Sequence, residues 1–341
     1  MKNLINKRFL ITGGSGFIGS NFISLLNLKT DSNVKILNID KLSPQSCHEF
    51  VSKYNNCIHI KDDLSDQRVV KNIICEFRPH FIVHFAAESH VDRSIDQPDL
   101  FFHSNSLATL NLFESIRQLI KEKNLDQATK IINISTDEVY GDLQLDDPKF
   151  NEDHKFSPSS PYSASKAASD CIAMSYLRTF GLNIITTHCS NNFGPRQHPE
   201  KLIPSTIYKF LNNIPVGIYG NGENIRDWIY VDEHNLYILG LLNKIKPAYN
   251  SYNIGSNKEI NNIQIVENIK KIMHENFSLN LEFKIKFIED RLGHDYRYAI
   301  NNERIKSELI EVAVSDFDLN FLKTVEWFIK NKEWLDRKIK G

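Results

Sequence analysis

Residues 135–142, Ser-Thr-Asp-Glu-Val-Tyr-Gly-Asp, follow the apolar run Lys130-Ile131-Ile132-Asn133-Ile134 without a break. Two carboxyl groups, Asp137 and Glu138, therefore stand side by side at the end of a buried strand. Adjacent acids can divide proton donation from proton removal if their surroundings hold one protonated and the other ionised. Partial burial at an apolar strand end supplies such a difference. The plainer alternative is that Asp137 caps a helix or turn and Glu138 is solvated. A second pair lies in Pro161-Tyr162-Ser163-Ala164-Ser165-Lys166. Tyr162 and Lys166, four apart at a helix start, share one face. A free tyrosine titrates near pH ~10 and is a poor base at neutrality. A neighbouring ammonium lowers that value, so the pair can take a proton from a sugar hydroxyl as hydride leaves the same carbon. Alone, the pair is common on exposed helices; here it follows a glycine-rich loop and a strand ending in Ser135-Thr136.

That loop is Thr12-Gly13-Gly14-Ser15-Gly16-Phe17-Ile18-Gly19, directly after the strand-like Arg8-Phe9-Leu10-Ile11. Glycines at 13, 16 and 19 suit a tight turn, a bare backbone beside a pyrophosphate and close helix-to-strand packing, and the helix start adds unpaired N–H groups. A second apolar run ends on Asp40, where an acid accepts hydrogen bonds from ribose hydroxyls and favours NAD over NADP. Asp63 and Leu64 follow a third run, at a strand end within reach of adenine.

The elements that must position these groups alternate. Short β-branched runs and longer helical patterns succeed one another up to Asn191, the pattern of an α/β, Rossmann-like doubly wound parallel sheet. After Asn191 the rhythm breaks into Gly, Pro, Arg and aromatic stretches, which marks a smaller C-terminal α/β lobe. The expected division is 1–190 for nucleotide binding, with 227–255 returning to it, and 191–226 with 256–341 for the second lobe. Charge is balanced, 41 Lys+Arg against 42 Asp+Glu, so no global field favours nucleic acid or an anionic membrane. Five scattered cysteines without a C-x-x-C pair fit a reduced cytoplasmic protein, and the histidines form no metal-ligand spacing, so no metal is expected. No leader or long apolar run is expected to target the chain to a membrane. The terminal Val325–Lys340 stretch is amphipathic and basic, and is expected to pack its aromatic face on the second lobe.

At this point the motifs resemble a known group. "TGGSGFIGS", "AAESHVDRSI", "STDEVYGD", "SPYSASKAASD", "NNFGPRQHPEKLIP", "RDWIYVDEH" and "RLGHDYRYAI", spread from about Lys7 to Asn302, are similar to those of the dTDP-glucose 4,6-dehydratases of the extended short-chain dehydrogenase/reductase superfamily. The resemblance implies a lyase that oxidises a nucleotide-linked glucose at C4, removes water across C5 and C6, and returns the hydride to C6. It implies Tyr162 as the base at O4 with Thr136 holding that oxygen, Lys166 supporting it, Glu138 as the C5 base and Asp137 as the C6 acid. To the NAD contacts it adds Phe17, Ile18, Lys41, Ser43, Ala86, Ala87, Ser89, Ser104 and Asn192. For the nucleotide sugar it implies Ser89, Thr136, Asn191, Lys201, Leu202, Tyr219, Arg226, Asn262, Arg291, His294 and Tyr298. A homodimer through helices near 100–122 and 160–180 is implied as well. Departures from the family pattern, Ser256, Leu292 and Asn301, fall in the second lobe and bear on nucleotide preference. The rival readings are a UDP- or CDP-glucose dehydratase, a 4-epimerase, which needs no Asp137-Glu138, and a non-catalytic NAD-binding regulator.

Overall fold

The computed structural model describes residues 2–277, 279, 281–312 and 315–340. Strands β1 (Arg8–Thr12), β2 (Lys35–Asp40), β3 (Cys57–Lys61), β4 (Phe81–His84), β5 (Lys130–Thr136) and β6 (Ile184–Cys189) form a parallel sheet. A later strand completes it, giving seven strands in which β1 sits between β2 and β4. Alternation along each strand feeds two cores. Phe9, Ile11 and Ile132 join Phe22 and Ile23 of helix α1 (Phe17–Thr30) on one face. Leu10 and Ile131 join Val70 and Ile74 of α2 (Gln67–Phe77) and Leu112 and Ile116 on the other.

The segment from Val91 is less regular than its sequence period suggests. Short helices α3 (Val91–Asp96) and α4 (Pro98–Phe101) lead through a π-helical stretch, Phe102–Leu107, into α5 (Ala108–Lys121). Polar anchors accompany the widening. Asn105 Nδ2 donates to Glu88 O at 3.0 Å and to Ser165 Oγ at 2.8 Å, and Ser106 Oγ to Ser165 O at 3.0 Å. Such widenings gather at functional sites. Helix α6 (Pro161–Phe180) starts cleanly, with Pro161 at its first position and a reciprocal Ser160/Ser163 capping box.

Beyond β6 come β7 (Asn191–Phe193), α7 (Leu202–Leu211), β8 (Val216–Tyr219) and β9 (Ile225–Tyr230), then α8 (Val231–Asn243) and β10 (Ser251–Ile254). Within 227–255, β9 pairs with β7 outside the large sheet, α8 packs against α1, and β10 joins the sheet beside β6. Strand β11 (Glu259–Asn261) pairs with β9, and after α9 (Asn262–Phe277) strand β12 (Ile285–Ile288) pairs with β8. Helices α10 (Glu303–Glu308), α11 (Phe317–Lys330) and α12 (Lys332–Lys340) finish the chain. A separate core of Phe210, Trp228, Ile265, Phe321, Phe328 and Trp334 holds this second lobe.

Candidate active site

The C-terminal strand ends open on one cleft of about 1690 Å³, its mouth included. Ligands in parallel α/β sheets sit at this edge. The glycine loop crosses the cleft so tightly that side chains have no room. Gly13 adopts φ 68°, and a Cβ there would lie 2.6 Å from the Ala86 backbone; one on Gly19 would lie 2.4 Å from Gly13 O. Gly16 caps α1 without any side-chain hydrogen bond, which leaves the helix N–H groups free for an anion. Asp40 is buried at the next strand end, its two oxygens accepting Ser15 N at 2.9 Å and Leu42 N at 2.8 Å. Burial pushes its carboxyl up, and those two bonds oppose the push. Every residue expected at the cofactor, from Gly13 to Asn192, lines this cleft. The cradle fits a dinucleotide.

At the end of β5 the two acids occupy the first turn of a short 3-10 helix, Asp137–Tyr140. Its cap is Thr136 rather than Asp137: Thr136 Oγ1 accepts Glu138 N at 3.3 Å and donates to Asp137 Oδ1 at 3.3 Å. Asp137 is 1% exposed, and its Oδ2 has no hydrogen-bond partner among the described residues. Burial, then the charges of Glu138 and Asp227, holds the Asp137 carboxyl well above the usual range. Glu138 is raised too, by burial, but the cations of Lys201, Arg226 and Arg291 oppose the shift. The two acids thus have unequal surroundings: burial favours the proton on both, reinforced by neighbouring negative charge on Asp137 and opposed by three cations on Glu138.

Tyr162 is 8% exposed, and burial followed by the Glu138 charge holds its phenol well above the ordinary value, with Thr136 opposing. The sequence expectation that Lys166 brings Tyr162 down is corrected by this geometry. The Lys166 ammonium donates to Ile134 O at 2.7 Å, and burial lowers its own pKa. Thr136, Asp137, Glu138, Tyr162 and Lys166 all line the cleft, as do Ser89, Asn191 and Lys201. Lys201 Nζ donates to Ser89 O at 2.5 Å.

The other residues implied for the nucleotide sugar are placed outside the lining of this cleft. Arg226 lies over the Tyr298 ring at 4.3 Å and donates to Asp295 O at 3.0 Å. Arg291 lies over Tyr219 at 5.0 Å and pairs with Asp92 at 2.5 Å; His294 pairs with Asp290 at 2.6 Å. These two groups form a cationic wall felt by Glu138. Leu202 opens α7 and packs on the second core, and Asn262 N donates to Asn224 O at 3.1 Å at the start of α9. Sequence reasoning passed over Glu88, which lies in the cleft and bridges Lys41 and Arg93. It also passed over Glu200, where burial is outweighed by His198 and Lys201, bringing the carboxyl down to about 2. Their signals, Glu88 one residue before Ser89 and Glu200 beside Lys201, were on view. Among the described residues, no group of three or more His, Cys, Asp or Glu is placed to hold a metal ion, and no helix is long and apolar enough to cross a membrane.

Asp137→Asn is expected to stabilise the fold more at pH 8 than at pH 5. A buried carboxyl with a raised pKa costs stability as pH climbs from its unfolded value toward its folded one, and an amide carries no such cost. A gain of roughly 1–2 °C per kcal/mol removed is the scale for a chain of this length. Melting curves at both pH values decide it; equal shifts would show that the charge is not the cause.

The family model described as GDP-mannose 4,6 dehydratase matches residues 10–310. A dTDP-glucose 4,6-dehydratase of Escherichia coli is 40% identical over 354 aligned positions, covering 98% of this chain and 97% of its own. The chain belongs to the dTDP-glucose 4,6-dehydratase family. Solved structures of that family agree in shape. The Streptomyces venezuelae dehydratase with NAD and dTDP bound superposes with a TM-score of 0.87 at 32% identity, over 97% of this chain and 99% of that one. The Bacillus anthracis dehydratase in complex with NAD gives 0.83 at 36% identity, over the same shares.

Proposed function

We propose that this chain is an NAD-dependent hydro-lyase that converts dTDP-glucose to dTDP-4-keto-6-deoxyglucose. The observation that carries the reading is the unequal pair Asp137 and Glu138, set in the cleft that holds Tyr162, Lys166 and the glycine loop. When bound, NAD supplies a hydride acceptor, later a donor, and a positive ring charge that favours the Tyr162 phenolate. Tyr162 takes the O4 proton while Thr136 holds that oxygen. The C4 ketone acidifies the hydrogen on C5. Glu138 removes it, and the proton kept on Asp137 leaves with the C6 hydroxyl as water. Arg226, Arg291 and Lys201 supply the charge for a diphosphate, with arginine forks matched to its oxygens.

Family resemblance and exposed apolar side chains on α4 to α6, among them Leu100, Phe102, Leu110, Met174 and Phe180, support a cytoplasmic homodimer. Sedimentation equilibrium should return a mass of two chains; a single-chain mass would count against it. Purified protein offered dTDP-, UDP- and CDP-glucose should form a 4-ketone fastest from the dTDP sugar. Preference for UDP- or CDP-glucose would overturn the base assignment, a 4-epimer without ketone would overturn the elimination, and no turnover of any would overturn the enzyme.

A further inference from the structure

The loop between β2 and β3 contributes Lys41, Ser43, Gln45 and Ser46 to the lining of the cleft and carries one short 3-10 turn, His48–Phe50. It also starts in a poorly populated conformation. Leu42 has φ 55°, a region L side chains adopt rarely and keep only where the surroundings impose it. Leu42 N donates to Asp40 Oδ1 at 2.8 Å and Cys47 N to Ser15 O at 2.5 Å, and further holds on the loop come from the far end of the chain. The Lys338 ammonium of α12 donates to two loop carbonyls, Pro44 O at 3.3 Å and Ser46 O. Four residues earlier on the same helix, Trp334 Nε1 donates to Glu49 Oε1 at 2.7 Å, and the Trp334 ring meets Phe50 at 6.0 Å. Cys47 and Phe50 are packed in the second lobe's core with Trp334 and Leu335, and not in either core of the large sheet. Arg196 closes the other side, its guanidinium 4.7 Å from the Phe50 ring and its carbonyl 3.2 Å from Cys47 Sγ.

We propose that α12 is a clamp on the cofactor loop: Trp334 and Lys338 hold residues 42–50 in the shape that retains the dinucleotide, so the helix sets how long NAD stays bound. The inference rests on the cofactor reading above, and Trp334 and Lys338 are positioning residues that act through the loop. A family with a closed redox cycle gains from this arrangement, because a cofactor that is regenerated in place need never leave. The clamp's grip is charge-assisted and local. Two backbone carbonyls face one ammonium from α12, and no other side chain donates to them among the described residues.

Lys338→Met keeps the aliphatic stem and removes the donor, Lys338→Arg restores a cation, and Trp334→Phe keeps the ring but removes the N–H. Two readouts are taken on each. Hydrogen exchange of the loop amides, measured on protein stripped of nucleotide, should quicken in the Met and Phe variants and recover in the Arg variant. The NAD dissociation rate should rise by roughly tenfold or more in the Met variant, which loses both hydrogen bonds of one charged donor, with kcat unchanged at saturating NAD. Dissociation at the parental rate in both Lys338→Met and Trp334→Phe would overturn the inference, as would faster exchange with no change in NAD release. A parent that binds no NAD would overturn the functional reading and the retention role with it, while the exchange arm, run without nucleotide, still decides whether α12 holds the loop.

Discussion

Tyr162→Phe is expected to leave a folded protein that retains NAD and has lost C4 oxidation. The ring keeps its place beside Phe101, whose centroid lies 6.3 Å away, so packing is conserved and only the oxygen goes. A positioned acid–base group is typically worth about 10²–10⁴ in rate, and nothing nearby replaces this one, because Lys166 is committed to Ile134 O. The loss should therefore appear in the earliest step. In a single turnover, neither 4-ketoglucose nucleotide nor deoxysugar should form at the parental rate, while released nucleotide and melting temperature match the parent. Near-parental ketone formation would remove Tyr162 from the base role.

Replacing the two acids should separate steps that ordinarily run together. Asp137→Asn preserves shape but cannot deliver a proton, so C4 oxidation persists while C6–O cleavage slows by about 10²–10⁴. Glu138→Gln removes the C5 base, and solvent deuterium should no longer enter C5 efficiently. Both variants should accumulate the 4-keto sugar with its C6 hydroxyl intact, read by mass spectrometry of quenched single turnovers. The pH dependence has a definite sign. With Asp137 acting in its protonated form as proposed, elimination in the parent should fall as pH rises through its elevated pKa, and that limb should be missing in Asp137→Asn. Parental rates of deoxysugar formation in both variants would make the acids structural.

Much of this chemistry was legible because it is written in contiguous residues. The glycine loop, Asp40, Ser135 to Glu138 and the Tyr162/Lys166 spacing each encode local geometry, and strand alternation placed them at one sheet edge. What could not be read was long-range. Arg291 meets Asp92 from 199 positions away, and Trp334 meets Glu49 from 285; no periodicity announces such pairs. The balance of forces on Tyr162 was misjudged for a related reason. Spacing shows that Lys166 is on the same face, but not that its ammonium turns to a strand carbonyl or that burial dominates. The π-helical stretch at Phe102–Leu107 was hidden because its apolar period is that of an ordinary helix, while the polar anchors that accompany it, Asn105 and Ser106, reach across to α6.

In the proposed reaction one active site oxidises C4, eliminates water and returns the same hydride to C6, with no net redox change. A dTDP-glucose carrying deuterium at C4 tests it directly, with NAD in large excess over enzyme. The product should be a 4-keto-6-deoxy sugar whose single deuterium sits on C6, and when the deuterated substrate also carries heavy carbon and is mixed with unlabelled substrate, the deuterium should stay with the heavy-carbon product. A 4-ketone that keeps its C6 hydroxyl, or a deoxysugar whose C6 carries no label, would contradict the account.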